Sequence, residues 1–202
     1  MKINFLNLNS MKTSKLLIAA LFCLTLITSC SDDDDNPAPV NEVELITDVV
    51  LTFTNTANAM DVVTLSNNAP DGQEGTFNNT ISGPFTAGAT YRLSLAITNE
   101  SEAPDIDDIL NDDIIPEADE HFFVYAVNGI GLTMTRDAGD VDGPDGTKLG
   151  VNTTWVAGAA STGNVNITLI HEPVTVDDSN PFGIATGGEE DFNITFVNVT
   201  IQ

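Results

Sequence analysis

The chain has 202 residues, of which 42% are hydrophobic, and a formal charge of −24 from 30 acidic and six basic residues. That length suits one domain able to bury a full core, and the charge excludes nucleic acid and anionic lipid as electrostatic partners. Only two cysteines occur, Cys23 and Cys30, both near the start of the chain.

Residues 1–29 read as a signal peptide. Lys2, Lys12 and Lys15 precede an apolar run from Leu16 to Ile27, too short to span a bilayer permanently. Ile27-Thr28-Ser29-Cys30 resembles the bacterial lipobox, which implies that Cys30 becomes the first mature residue and carries lipid. Cys23 leaves with the signal, so no thiol chemistry and no disulfide is expected. Removing residues 1–29 takes three of the six basic residues and no acidic one, moving the formal charge from −24 to −27. Residues 30–41 form a linker, in which Ser31-Asp32-Asp33-Asp34-Asp35 and Asn36-Pro37-Ala38-Pro39 stay extended through charge repulsion and proline. Ser followed by four Asp beside a lipobox resembles the signal that sends Bacteroidota lipoproteins to the outer face of the outer membrane.

Residues 42–202 read as one β domain. Val43, Leu45, Val49, Leu51 and Phe53 share a parity, as do Tyr91, Leu93, Leu95 and Ile97, so one face of each strand goes inward. Further strands are predicted over Met60–Leu65, Phe77–Phe85, His121–Val127, Leu132–Arg136, Leu149–Ala157, Val165–Ile170 and Phe192–Ile201, with a parity break at Val197. Pro70-Asp71-Gly72 marks a turn. Between the strands ending at Asn99 and beginning at His121 lies a crossover holding ten carboxylates from Glu100 to Glu120 and no Lys or Arg. Within it Ile106, Ile109, Leu110 and Ile114 recur at three and four residues, which predicts a short amphipathic helix with Pro104 in its first turn and Pro116 ending it. Short antiparallel strands with one such helix predict an immunoglobulin-like sandwich, with an up-and-down barrel as the competing topology.

The tracts LSLAITNESEAPDIDD, PEADEHFFVYAV, DVDGPDGTKLG, NTTWVAGAASTGNVNITLIHEP and GGEEDFNITFVNVTIQ resemble small flavobacterial surface lipoproteins that carry the label "type 1 periplasmic binding fold superfamily". The likeness covers about residues 42–202. It brings no catalytic residues, and the strand periodicity over the same stretch implies a sandwich rather than two α/β lobes.

Two constellations could bind a cation. His121 and His171, the only histidines, stand at strand ends beside Glu120 and Glu172, and imidazole with carboxylate suits Zn or Cu. The alternative is that each histidine caps its strand. Asp137, Asp140, Asp142 and Asp145, with Gly143 and Gly146, resemble an oxygen-rich Ca loop, although Pro144 breaks the EF-hand order. No nucleophile elbow, phosphate loop or His-Glu-x-x-His is present, so an enzyme is not expected. The expectation is an acidic binding module on the cell surface that captures a divalent metal, or a ligand carried with one, for an outer-membrane transporter. The rival expectation is a protein-interaction or adhesive lid domain without a small-molecule site.

Overall fold

The computed structural model of the protein describes residues 45–72 and 75–202. The expected signal peptide, Cys30 and the expected linker lie outside the described residues. Among those described, no helix is long and apolar enough to cross a membrane.

Eleven strands follow in order: β1 (Asp48–Asn55), β2 (Val62–Asn68), β3 (Asn78–Ser82), β4 (Thr90–Thr98), β5 (His121–Asn128), β6 (Leu132–Arg136), β7 (Thr153–Ala157), β8 (Ser161–His171), β9 (Thr175–Asp177), β10 (Ile184–Thr186) and β11 (Glu189–Ile201). They pair as a six-stranded sheet of order β3-β2-β1-β4-β7-β6, a three-stranded sheet of order β11-β8-β5 and a hairpin of β9 and β10. Every strand pair is antiparallel. The two larger sheets are open, so the chain is an all-β sandwich and not a closed barrel.

Alternation dictates which residues the sheets enclose. On β1 the buried positions are Val49, Leu51 and Phe53, and on β4 they are Tyr91, Leu93, Leu95 and Ile97, the parity read from the sequence. Trp155 of β7 joins the layers: its ring meets Phe53 of β1 at 5.4 Å and Tyr125 of β5 at 5.6 Å, both edge-on. Edge-to-face contacts of this kind add to the area these rings remove from water. The parity break at Val197 is a β-bulge, with Asn198 at φ 63° and the β8 register shifting between Phe196 and Val199.

The helix in the crossover departs from expectation. Asn99 and Asp107 exchange backbone hydrogen bonds of 3.1 Å, which closes residues 100–106 into a loop and leaves Ile106 exposed. A single wide helical turn, Leu110–Ile114, follows, closed by the Ile115 N–H donating to the Leu110 carbonyl at 3.0 Å. Ile109, Leu110 and Ile114 are buried as predicted, but Pro104 lies outside the turn. The crossover carries the chain from the six-stranded sheet to the three-stranded one.

Arg136, the last residue of β6, closes one open side of the sandwich. It is 9% exposed, and its guanidinium donates to the carbonyls of Phe123 (2.5 Å), Lys148 (2.7 Å), Pro181 (3.2 Å) and Phe182 (3.4 Å) while lying over the Phe122 ring at 4.5 Å. Gly150 and Gly183, both at positive φ, leave the space this head group fills. The strand predicted from Leu149 therefore starts only at Thr153, because the backbone at Lys148–Gly150 bonds to Arg136, Phe123 and Tyr125 instead of a ladder.

Between β1 and β2, Asp61 Oδ2 accepts hydrogen bonds from Asn55 (2.7 Å), Thr86 (2.9 Å) and Tyr91 (3.0 Å). These bonds, that from Asn55 foremost, hold the carboxyl below its ordinary pKa. A depressed carboxyl stabilises the fold above its unfolded pKa, and that contribution is lost as pH falls through the folded value. Asp61→Asn is expected to lower Tm at pH 7, with the difference from the parent shrinking below about pH 4; thermal melts across pH check it.

Candidate metal centre

His121 opens β5 and His171 closes β8, and the antiparallel register places them directly opposite each other. Both share the inward parity of Phe123 and Leu169, so the pair sits where the interior meets one end of the sandwich. Their rings stack with centroids 4.7 Å apart and planes 9° from parallel. His121 is 1% exposed, and the His171 side chain is 11% exposed.

A third group completes the cluster. Asp191 lies on β11 where the pairing with β8 skips a residue between Glu190 and Phe192. A bulge of this kind inserts an unpaired residue and re-aims its side chain, and here it turns the carboxylate toward the histidines. Asp191 Oδ2 is 4.0 Å from His121 Nε2, and Oδ1 is 4.0 Å from His171 Nδ1. Burial pushes the Asp191 carboxyl up from its ordinary pKa; the two histidines oppose that and Glu189 adds to it.

Two polar atoms of the cluster, one on His121 and one on Asp191, have no hydrogen-bond partner among the described residues. His121 Nδ1 is 3.0 Å from the Glu117 carbonyl oxygen, which can only accept, so Nδ1 carries the proton and, in the neutral ring, Nε2 presents a lone pair. That Nε2 and Asp191 Oδ2 are buried and make no hydrogen bond among the described residues. Leaving a buried polar atom without a hydrogen bond costs about 1–3 kcal/mol, so two such atoms 4.0 Å apart call for an explanation.

The two histidines do come together, and His121, His171 and Asp191 each offer a ligand atom within 4.8 Å of the others. Glu120 and Glu172 form a second, more exposed group with His171 at the same spacing limit. Glu120 Oε2 lies 3.6 Å from His171 Nε2, and Glu172, at φ 46°, donates its N–H to the Glu120 carbonyl at 2.6 Å. Neither glutamate lies in the buried trio. Asp191 escaped the sequence reading because alternation counted from Phe192 assigns it to the outer face. The run Glu189-Glu190-Asp191 hints at acidity there without singling out its third member.

The carboxylates read as a calcium loop do not converge, and three of the four have separate partners. Asp137 pairs with Arg92 at 2.5 Å and accepts from Thr154 at 2.8 Å, while Asp142 pairs with Lys148 at 2.5 Å. Asp140 is 5% exposed and accepts the N–H groups of Gly150 (2.6 Å) and Asn152 (2.7 Å), which shapes the loop. Asp145 is exposed at the tip of a tight turn. Among the described residues these carboxylates form no cluster able to hold an ion.

No family model matches the chain, and neither does any curated protein or solved structure.

Proposed function

We propose that this protein is a lipid-anchored, acidic β-sandwich on the outer face of the outer membrane that holds one divalent transition-metal ion, zinc or copper, through His121, His171 and Asp191. It binds rather than catalyses. The observation that carries the reading is the unpartnered, buried pair of His121 Nε2 and Asp191 Oδ2 facing each other at 4.0 Å. A cation supplies what both atoms lack, and two imidazoles with one carboxylate form a donor set that zinc and copper favour over calcium.

The residues fit such an ion after a contraction. Ligand atoms on a tetrahedral zinc with bonds of about 2.0–2.1 Å sit roughly 3.3 Å apart, so the 4.0 Å gap between His121 and Asp191 must close by roughly 0.7 Å, and separations in the trio of up to 4.8 Å by up to roughly 1.5 Å. An ion lies in the plane of each ring that binds it, and near-parallel stacked rings do not share a plane. One ring must therefore turn, and His171, whose side chain is 11% exposed against 1% for His121, is the nearer to solvent. The ten carboxylates of the crossover stand just before His121 and raise the local concentration of cations. Residues 16–35 support the location through the apolar run, the lipobox at Cys30 and the acidic signal after it. An ion held at the cell surface, alone or with a small ligand, is suited to delivery to an outer-membrane transporter.

Calorimetric titration of the full chain in detergent, stripped with chelator, tests the reading. One equivalent of Zn²⁺ or Cu²⁺ is expected to bind, and ion at a hundredfold excess over Kd should stabilise the fold by about 2.7 kcal/mol. No heat, or equal heat from the His121→Ala/His171→Ala double variant, overturns it.

A further inference from the structure

His171 turns its two ring nitrogens toward different carboxylates. Nδ1 lies 4.0 Å from Asp191 Oδ1, and Nε2 lies 3.6 Å from Glu120 Oε2. A neutral imidazole has one N–H and one lone pair, so it can ligate an ion through only one of these sides. His121 decides which side that is. Its Nδ1 proton is held by the Glu117 carbonyl, and its Nε2 lone pair faces Asp191. An ion that uses His121 therefore sits beside Asp191 and meets His171 at Nδ1. That leaves the His171 N–H on Nε2, pointing to Glu120.

Resting on the metal reading above, we infer that Glu120 is a positioning residue and not a ligand: its carboxylate holds His171 in the Nε2–H tautomer, so that the Nδ1 lone pair faces the ion. Metal-binding histidines characteristically donate their second ring N–H to a carboxylate or a backbone carbonyl, which fixes ring orientation and raises ligand basicity. Here both holders come from one turn. The Glu117 carbonyl serves His121 and also accepts the Glu120 N–H at 2.9 Å, which places the Glu120 side chain beside His171. The Glu120 carbonyl in turn accepts the Glu172 N–H at 2.6 Å, tying this turn to the end of β8. The turn ending the acidic crossover thus sets the tautomer of both rings. The 3.6 Å separation exceeds a hydrogen bond by a few tenths of an ångström, a gap that a small rotation of the half-exposed Glu120 side chain closes with or without the ion.

Long-range ¹H–¹⁵N spectra of the ion-free full chain at alkaline pH read the tautomers directly. His171 is expected in the Nε2–H form in the parent and as a mixture in Glu120→Ala. The same variant should lower Zn²⁺ affinity by about tenfold with the stoichiometry still one. Glu120→Gln, which keeps an acceptor, should recover most of the loss. Glu172→Ala removes the same charge nearby and should change affinity by less than about threefold, since an exposed charge at that range is well screened. Unchanged tautomer and affinity in Glu120→Ala overturns the inference. So does complete loss of zinc binding in that variant, which makes Glu120 a ligand, or an equal loss in Glu172→Ala, which makes the effect one of charge alone. If the parent takes up no zinc, the metal reading fails, and the ion-free tautomer still decides what Glu120 does to His171.

Discussion

Arg136→Met is expected to destabilise the domain by at least about 3 kcal/mol, because several buried carbonyls lose their donor at once. The carbonyls of Phe123, Lys148, Pro181 and Phe182 belong to three separate segments, and the guanidinium serves all of them. Methionine fills much of the volume and keeps contact with Phe122, so the loss reports the polar fork and not a cavity. Arg136→Lys is expected to recover less than half, since an ammonium cannot reach four acceptors in a plane. Urea unfolding followed by Trp155 fluorescence measures both variants, and equal stability of Arg136→Met and the parent would refute this account of how the sandwich is closed.

Asp191→Asn is expected to move two measurements in opposite directions. In the ion-free protein burial raises the Asp191 pKa, so the folded state binds the carboxyl proton more tightly than the unfolded chain does. A carboxyl of this kind contributes fully below its unfolded pKa, and that contribution disappears as pH rises through the folded value. Asparagine removes the buried charge, so Tm at pH 7 should rise by about 2–4 °C, for about 1 kcal/mol, and the gain should vanish near pH 4. The same change removes a charged ligand from the cluster. Zinc affinity should fall by about a hundredfold or more, a loss of about 2.7 kcal/mol. Scanning calorimetry in chelator and titration calorimetry with Zn²⁺ check the two signs. A drop in both would make Asp191 a structural residue.

Several elements were legible from period-two alternation alone. β4 and β6 fall within a residue of their predicted bounds, and the parity break at Val197 is the bulge at Asn198. The crossover was legible only in part. The 3.6-period pattern is real at Ile109, Leu110 and Ile114, but the Asn99–Asp107 bridge removes Ile106 from it. That bridge joins residues eight apart and leaves no periodic trace. The β9–β10 hairpin was missed because each strand is only three residues long.

Alternation, charge and the placement of both histidines at strand ends are properties of short stretches, and the sequence by itself determined them: an antiparallel β domain, a strongly acidic chain and two imidazoles beside carboxylates. Which carboxylate meets them was decided by tertiary structure. The register of β5 on β8 sets His121 opposite His171, and one unpaired residue in β11 turns Asp191 inward while Glu120 and Glu172 stay outside. The same holds for Asp140, which a glycine-rich acidic loop offered as a cation ligand and which the fold uses to bind its own backbone. Pairing register and bulges arise from contacts between residues distant in the chain, so no local pattern encodes them.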